Sequence, residues 1–474
     1  MADIRVRYSP APTGEIHVGN ARTALFNWLY ARHHEAVFIL RIEDTDRSRT
    51  TDAAIIGVQE TLRWLGIDWD EGPVLQSART DLYRAAVDRL FADGAAYECF
   101  CTEAEIRERN EAARAAGRPP GYDGHCRALT TEQRAAYEAE GRPRVVRFRT
   151  PDSGVSRFHD LIRGDVEVDW SLIHDFVIVR SDGSPIFFLA NAVDDIDMGI
   201  THVIRGEDLL DTTHRVLALR AALGGGSAPV YAHLPLILAS DRAKLSKRHG
   251  ADAVEEFRAE GYLPEALLNY LALLGWAPAG EGQEILTVEE LVAEFELERV
   301  THASAVFDFK KLDWMNGQWI RRLPLDELAR RVEPEARARY GSRFDDDVFR
   351  QAVAIGQERA VTTAQLVDQM GFLFVDENDF VIGPESWATL AATERVQEVL
   401  DAVIQHIATT EWTVDALDLR GPIEAIGMKA RKVMPALYTA VEGRAQGLPL
   451  FDSIWLLGRD RALRRLRAAR EQLG

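Results

Sequence analysis

The sequence predicts a multidomain α/β protein that ends in an all-helical region, and three observations support this fold class. A β-prone run at 4–8 passes through a Pro- and Gly-broken loop into a helical pattern at 21–29. A continuous apolar run at 36–42 is typical of a buried strand in a parallel sheet. After residue 323 no strand pattern is convincing, whereas helical patterns continue to the end of the sequence.

Length and composition narrow the possible function classes. The 474 residues exceed what one hydrophobic core supports, so several domains are expected. No apolar run approaches the roughly 18 residues that span a bilayer, and no apolar signal core precedes the first strand, so we expect a cytoplasmic protein without membrane contact. The net charge of −19 argues against a wholly basic nucleic-acid-binding surface but is compatible with a local basic groove.

The predicted first strand, loop and helix form a candidate anion site. Backbone N–H groups at a helix N-terminus have no intrahelical partner and, with the helix dipole, favour anions. His17 lies in this turn, and Gly19 allows a ligand to approach the backbone closely. Taken alone, the sequence His17-Val18-Gly19-Asn20 is more often accidental than catalytic.

Charged residues follow the apolar runs, at the strand ends where ligands bind in open α/β sheets. The run at 36–42 ends in Glu43-Asp44-Thr45-Asp46-Arg47, and a second buried-strand pattern is predicted at 186–190. A third run ends in Arg205-Gly206-Glu207-Asp208. Three cations surround Ser246 in a later loop, where they fit either a solvated turn or a clamp for polyphosphate.

A stretch at 97–176, with antiparallel strands predicted at 145–149 and 166–170, resembles an insertion in the α/β domain, because a buried-strand pattern resumes at 186–190. The arginines of the last helix, between 459 and 470, fit a solvated face. Three cysteines, an odd number, indicate metal binding or inert thiols rather than a disulfide framework. Other helical patterns lie at 52–65, 80–91, 264–276, 287–295, 308–319 and 396–407.

Two of these motifs together resemble the paired signatures of class I aminoacyl-tRNA synthetases. His17-Val18-Gly19-Asn20, after Pro12-Thr13-Gly14, is similar to the motif written HIGH, and Lys244-Leu245-Ser246-Lys247-Arg248 to that written KMSKS. Each is weak singly, but the pair in this order around an insertion is specific. Further likeness to the glutamyl-tRNA synthetase branch extends over essentially the whole chain, at 41–47, 69–73, 122–124, 203–208 and 312–317.

The resemblance implies a Rossmann-type catalytic domain that is split by an inserted acceptor-end-binding domain. This domain is followed by a stem-contact domain, which carries the lysine loop (residues 244–248), and then by an all-α anticodon-binding region. We expect the two catalytic halves at 1–81 and 184–236, the insert at 82–183, the stem-contact domain at 237–322 and the anticodon-binding region at 323–474.

The reaction implied by the family is ATP-dependent activation of L-glutamate to glutamyl-adenylate, followed by transfer to the 3′ end of tRNA-Glu. Such chemistry depends on positioning and on cations aimed at the developing phosphate charge, with Mg²⁺ on the nucleotide. The family motifs assign catalysis to His17, Lys244 and Lys247. They assign ATP binding to the same three residues together with Gly19, Asn20 and Ser246.

The implied glutamate pocket contains four matching residues. Arg7 and Arg205 suit the two carboxylates because a guanidinium pairs with them bidentately. Glu43 suits the ammonium group, and Asn191 can bond the side chain. Two positions depart from the family pattern, and each loses a hydroxyl: Ala11 stands where Ser is usual and Phe187 where Tyr is usual.

A structural zinc is the second implied site. Some family members hold zinc with Cys-x-Cys and a later Cys-x-His, but Ala128 occupies the usual His position here. Related enzymes use Tyr-x-x-x-Cys, which makes Tyr122 the expected fourth ligand. His125 is another conceivable ligand, and reduced thiols without zinc are the alternative. The chain retains all three thiols: Cys99, Cys101 and Cys126.

We expect a monomer with tRNA-Glu as partner, and whether it also charges tRNA-Gln stays open. Arg359 falls where discriminating members read the third anticodon base, although a plain surface arginine fits as well. A glutaminyl-tRNA synthetase would need a β-barrel anticodon region, and a truncated glutamyl-queuosine-type enzyme would lack that region altogether. A non-catalytic tRNA-binding paralogue is supported only by Ala11 and Phe187.

Overall fold

The structure is a computed structural model, and it describes residues 3–46, 50–246, 248, 250, 253–280 and 282–474. The chain divides into two compact units, one of Met1–Glu256 with Leu267–Asp308 and one of Phe257–Ala266 with Phe309–Gly474. The bounds of the five predicted segments stay a prediction, because this division is coarser. None of the helices in the described ranges is long and apolar enough to cross a membrane.

The first unit opens with three parallel strands, β1 (Arg5–Tyr8), β2 (Val37–Ile42) and β3 (Glu71–Leu75), which lie side by side in that order. Helix α1 (Val18–His33) follows β1, and α2 (Asp52–Trp64) follows β2. Eleven of the 16 residues of α1 are buried, because apolar side chains cover most of its circumference. The loops after β1 and β2 therefore meet at one edge of the sheet.

The next part of the chain contains three antiparallel strand pairings. Its elements are α3 (Thr80–Ala92), β4 (Ala96–Cys99), α4 (Glu103–Ala115), α5 (Thr131–Ala139), β5 (Val145–Phe148), β6 (Val155–Asp160), β7 (Gly164–Asp169) and β8 (Phe176–Val179). Strands β4, β5 and β8 form one sheet, and β6 and β7 form a hairpin. The two strands predicted in this stretch correspond to β5 and β7, which belong to different sheets.

A second, mixed sheet lies beside the first. It is completed by α6 (Phe187–Asp197), β9 (His202–Gly206), α7 (Thr213–Ala222) and β10 (Val230–Leu234), with strand order β7–β6–β10–β9. The backbone N–H of Arg5 in β1 donates to Thr201 Oγ1 at 2.9 Å, and the Thr201 N–H donates to the Arg5 carbonyl at 3.0 Å. These bonds hold β9 next to β1.

The strand predicted at 186–190 is wrong, because Ile186 is the N-cap of α6 and residues 187–190 form its first turn. Residues 189–195 of this helix are all buried, including Asp194 and Asp195. A helix that is buried on every side shows a continuous apolar run rather than a 3.6-residue period. Such a run cannot be distinguished from a buried strand by periodicity alone.

The first unit ends with a small parallel pair, β11 (Ile237–Leu238) and β12 (Ala305–Val306). Helices in this part of the chain are α8 (Val254–Ala259), α9 (Pro264–Ala272) and α10 (Val288–Glu294), and the residues of α8 and α9 within Phe257–Ala266 belong to the second unit. Short 3₁₀ helices across the described chain are Gln76–Arg79, Trp170–Leu172, Glu207–Thr212, Leu297–Arg299, Gly341–Arg343 and Gly371–Leu373.

The second unit is helical, as predicted, and its described residues include no strand. Its core contains the apolar stripe of the helix predicted at 396–407, of which Val399, Leu400, Val403 and Ile407 are fully buried. The helices are α11 (Phe309–Arg322), α12 (Leu325–Tyr340), α13 (Asp346–Gly356), α14 (Thr363–Met370), α15 (Pro384–Ala391), α16 (Val396–Thr409), α17 (Arg420–Ala425), α18 (Ala430–Glu442), α19 (Leu450–Leu457) and α20 (Arg459–Gln472).

The predicted solvated arginine face of α20 is wrong for two of its members. Arg465 is 2% exposed, pairs with Glu377 at 2.8 Å and donates to the carbonyls of Val441 and Phe372. Arg461 pairs with the same carboxylate at 2.6 Å. These guanidinium groups satisfy loop carbonyls that the helices leave unpaired, and one shared carboxylate balances their charge.

Glu442, the last residue of α18, is a buried carboxyl group in this helical core. It is 3% exposed, and its two oxygens lack a hydrogen-bond partner of good geometry among the described residues. Gly447 lies so close that a Cβ there would clash with Glu442 Oε2. Burial raises the pKa of Glu442 from 4.5 to about 8, and Arg444 offsets this only partly.

We expect Glu442→Gln to stabilise the chain at pH 8 by on the order of a few kcal/mol, and by less toward pH 5. Between the two pKa values the unfolded chain releases a proton that the folded chain retains, so wild-type stability is lost as the pH rises. Thermal and urea unfolding at both pH values measure this difference. Glu335→Gln, at an exposed position, is the control, and an equal gain at both pH values would contradict the assignment.

Candidate active site

A cavity of about 600 Å³ opens at the carboxyl ends of β1, β9 and β10 and at the N-terminus of α1. This is the edge where parallel α/β sheets bind ligands. The structure brings ten of the predicted site residues to its wall: Arg7, His17, Gly19, Asn20, Glu43, Phe187, Asn191, Arg205, Lys244 and Ser246. Their roles stay a prediction. Lys247 lies outside the described residues.

The turn from β1 into α1 forms one side of the cavity. His17 occupies the N-cap position of α1 in an extended conformation without a capping side-chain bond, and the first turn contains no acidic residue. The turn is fixed from behind, since Val254 donates its N–H to the Ile16 carbonyl at 2.9 Å. The first N–H groups of α1 are therefore available to an anionic ligand.

The lysine loop faces the same cavity. A backbone bridge joins Leu238 to Lys244, and the Ala239 N–H donates to the Ala243 carbonyl at 2.8 Å, which closes a tight turn. Arg242 adopts a left-handed conformation within it, with φ of 63°. The exposed Lys244 side chain lines the cavity at the end of this turn.

Arg7 is held at the floor of the cavity by a buried carboxylate. Its Nε donates to Asp195 Oδ1 at 3.2 Å, and Arg41 Nη1 donates to the same oxygen at 2.7 Å. Arg7 and Arg41 lower the pKa of Asp195 although its burial acts in the opposite direction. Among the described residues, none accepts a bond from the terminal nitrogens of Arg7, so both are available to a ligand.

Asp194 extends this network away from the cavity. It accepts from Arg79 Nε at 2.7 Å, from Gln76 at 2.8 Å and from the Tyr83 hydroxyl at 2.9 Å. Arg41 Nε lies 3.8 Å from it. Two adjacent carboxylates of α6 thereby hold β1, β2 and the segment after β3 in one arrangement.

Arg205 lies beside Arg7 without a direct carboxylate partner in the described chain. It is 4% exposed; its Nε donates to His233 Nε2 at 3.1 Å and its Nη2 to Thr213 Oγ1 at 2.8 Å. Burial lowers the pKa of Arg205 to about 10, and the neighbouring Arg7 acts in the same direction. A buried cation in this situation favours an anionic ligand.

Glu43 adds a carboxyl group and Asn191 an amide to the same cavity wall. Burial raises the pKa of Glu43, while Arg41 and Arg7 oppose the shift. Asn191 is 2% exposed, and its side-chain oxygen has no partner in the described chain. Both line the cavity with Phe187, whose ring carries no hydroxyl.

Sequence reasoning missed several wall residues. Tyr8 and Ser9 directly follow Arg7, and their buried hydroxyls have no hydrogen-bond partner among the described residues. Asp208, three residues after Arg205 in the charged cluster that follows β9, also lines the cavity. Proximity to Arg7 and Arg205 in the sequence was the available signal for all three.

The three cysteines form a cluster away from the cavity, in the first unit. Their sulfur atoms all lie within 4.8 Å of one another, with Cys101 and Cys126 at 3.5 Å. The Tyr122 hydroxyl lies 3.4 Å from Cys99 Sγ. His125 is exposed and is not part of this cluster.

Arg359 lies in the second unit, in the turn after α13. It is exposed, and its Nη1 donates to the Tyr438 hydroxyl at 3.1 Å. The same hydroxyl accepts the backbone N–H of Leu450 at 3.2 Å. The guanidinium is thus oriented by α18 while it remains accessible to solvent.

Two family models match the chain. The model for the catalytic domain of class I tRNA synthetases (E and Q) matches residues 3–314. A model described as an anticodon binding domain matches residues 327–470.

Similarity to known proteins extends over nearly the whole chain. Glutamate–tRNA ligase 1 of Caldanaerobacter subterraneus subsp. tengcongensis is 43% identical, over 99% of this chain and 98% of that protein. The glutamate–tRNA ligase of Streptomyces griseus is 42% identical, over 99% and 96%. The crystal structure of a glutamate tRNA ligase from Elizabethkingia meningosepticum, in complex with its amino acid, superimposes with a TM-score of 0.82 at 30% identity and covers 100% of both chains.

We expect Asp195→Asn to lower the free energy of unfolding by about 3–5 kcal/mol, because two buried guanidinium groups lose their shared countercharge. Asp197→Asn, at the 50% exposed end of the same network, is the control and should cost less than about 1 kcal/mol. Equilibrium unfolding in urea measures both variants. Similar losses in the two would show that burial of the network contributes nothing.

Proposed function

The chain belongs to the class I tRNA synthetases of the glutamate and glutamine group, and on that basis we propose that it is a glutamate–tRNA ligase. It activates L-glutamate with ATP and transfers the glutamyl group to the 3′ end of tRNA-Glu. The observation that supports this most directly is one cavity in which the N-terminus of α1 and Lys244 adjoin two buried arginines, Arg7 and Arg205.

Activation joins the two sides of this cavity. A carboxylate oxygen of glutamate attacks the α-phosphorus of ATP, the new P–O bond forms, and the bond to pyrophosphate breaks. A hydroxyl of the terminal ribose of tRNA then attacks the glutamyl carbonyl and releases AMP. Neither step needs a covalent nucleophile from the protein, so catalysis consists of positioning and of charge stabilisation.

We assign Arg7 and Arg205 to the two carboxylates of glutamate, Glu43 to its ammonium group and Asn191 to a polar contact with the side chain. Arg7 and Arg205 are nearly buried, which strengthens their pairing with a charged ligand. Phe187 provides apolar wall in place of a hydroxyl. Glutamine would leave the second arginine without a countercharge, which accounts for the choice of glutamate.

The phosphates of ATP are assigned to the turn at His17, Gly19 and Asn20 and to the lysine loop with Lys244, Ser246 and Lys247. The N–H groups of α1 and the lysine cations suit a polyphosphate. Mg²⁺ prefers oxygen ligands and usually keeps several waters beside substrate phosphates. Asp208 and Ser246 supply oxygen atoms at this wall and would hold the ion, which offsets phosphate charge when bound.

We also propose a structural zinc at Cys99, Cys101 and Cys126, with Tyr122 as the fourth ligand. Zinc in structural sites takes four ligands in tetrahedral geometry, with Zn–S distances of about 2.3 Å, which suits sulfur atoms as close as those observed. The ion would join β4 to the loop that carries Tyr122.

The second unit is assigned to the anticodon of tRNA, with Arg359 as the residue that reads a base, because the anticodon binding model covers this part of the chain. We propose a monomer that acts in the cytoplasm, where ATP and tRNA are found. An enzyme that also charges tRNA-Gln and a non-catalytic tRNA-binding paralogue, favoured only by Ala11 and Phe187, are the alternatives.

Aminoacylation assays with glutamate and glutamine, on tRNA-Glu and tRNA-Gln separately, test the function. We expect glutamylation of tRNA-Glu, and Lys244→Ala should lower kcat by on the order of 10²–10³-fold, with a smaller loss for the charge-conserving Lys244→Arg. Glutamylation of tRNA-Gln would identify a non-discriminating enzyme. If neither tRNA is glutamylated, the proposed function is wrong and the non-catalytic paralogue is the remaining alternative. If Lys244→Ala changes only the KM for ATP, Lys244 binds ATP in the ground state and does not stabilise the transition state.

Metal analysis tests the zinc. The full chain, washed with a weak chelator, should retain about one zinc per chain, and Cys126→Ser should lose it. Tyr122→Phe should weaken retention, whereas His125→Ala, which changes an exposed neighbour, should not. Less than about a tenth of a zinc per wild-type chain would contradict the proposal.

A further inference from the structure

Arg205 is the last link of a buried hydrogen-bond chain that crosses three strands. Asp160 at the end of β6 contacts His233 of β10, with 2.6 Å between Asp160 Oδ2 and His233 Nδ1. His233 Nε2 in turn lies 3.1 Å from Arg205 Nε in β9. Asp160 and His233 have no exposed surface, and no sequence motif contains either of them.

The chemistry of the two ends determines the tautomer of His233. The Arg205 Nε is always a donor, so His233 Nε2 must accept, and the proton must lie on Nδ1, which donates to Asp160. Asp160 also accepts the backbone N–H groups of Ile162, at 3.0 Å, and of Arg163, at 2.9 Å. Burial acts to raise the pKa of Asp160, but the bond to His233 and the backbone bond from Arg163 lower it overall, so Asp160 is a charged acceptor.

His233 holds Arg205 without neutralising it. Burial lowers the pKa of His233, and the nearby Arg205 and Arg7 add to the shift, while Asp160 opposes it. Other groups around the imidazole are Thr213 Oγ1 at 3.2 Å, the Tyr231 ring at 5.9 Å, the Phe158 ring at 6.2 Å and Arg163, whose Nε donates to the His233 carbonyl. A neutral acceptor fixes the guanidinium and leaves its positive charge available to a ligand.

We propose that Asp160 and His233 are positioning residues that orient Arg205 toward the carboxylate of the substrate. Asp160 fixes the tautomer of His233, and His233 fixes Arg205 Nε. With Nη2 bonded to Thr213 and Leu209, the described chain provides no acceptor for Nη1, which is left for the ligand. The inference rests on the proposed glutamate site and adds two residues that act only through Arg205.

The kinetics of tRNA-Glu glutamylation by the full chain test whether Asp160 and His233 orient Arg205. His233→Leu removes the acceptor and should raise the KM for glutamate by about 10–100-fold, with the KM for ATP within about twofold of wild type. His233→Gln places an amide oxygen where it can accept from Arg205 and should restore the KM to within about threefold. His214→Leu, another buried histidine, which bonds Ser156 instead, is the control and should leave the KM for glutamate unchanged.

A double-mutant cycle keeps the test decisive if His233→Leu does not fold. Asp160→Asn alone should raise the KM for glutamate by about 3–10-fold, because the histidine tautomer is no longer fixed. In the His233→Gln background, which has no tautomer to fix, it should change the KM less than about twofold. Additive effects of Asp160→Asn and His233→Gln on the KM for glutamate, or equal increases in the KM for glutamate and for ATP, would overturn the proposed positioning of Arg205. An inactive wild-type chain would instead contradict the proposed function.

Discussion

The buried carboxylate of Asp195 lies between the guanidinium groups of Arg7 and Arg41, and the geometry of the cavity depends on this contact. An isolated charge at this depth would cost several kcal/mol, so the three groups are stable only together. Asp195 belongs to α6, Arg7 to β1 and Arg41 to β2. The contact therefore fixes the position of α6, and with it Asn191 and Phe187, relative to the strand that carries Arg7.

The family resemblance assigned most of the ten predicted residues of the cavity wall, among them Arg7, Phe187 and Asn191. Local patterns in the sequence predicted the parallel start of the fold, the helical second unit, the turn with His17 and Gly19, and the charged cluster after the run at 36–42. These features depend on neighbours along the chain: a strand, its loop and the helix after it, or one charged cluster at a strand end. The resemblance to a synthetase family joined two clusters, around His17 and Lys244, that no local pattern could connect. The residues that hold the site together are different, since 188 positions separate Arg7 from Asp195.

Buried polar contacts account for most of what the sequence did not predict. Asp194 and Asp195 were visible only as charges after an apolar run, and that run was assigned to a strand because a fully buried helix shows no period. Arg465 was assigned to a solvated face because spacing on a helix does not show which loop carbonyls will lie opposite. His233 carries no signal at all, since its role comes from partners on other strands.

The pairing of β6 with β10 has a consequence for how such a chain can be recombined. Asp160 belongs to the segment predicted as an insert, yet it is the strand partner of Tyr231 and the carboxylate behind His233. The hairpin of β6 and β7 therefore cannot be exchanged independently of the catalytic half that contains β10. A chimera that exchanged residues 82–183 for the equivalent part of another protein would also exchange the end of the contact chain behind Arg205, so amino-acid recognition would be inherited partly with the insert.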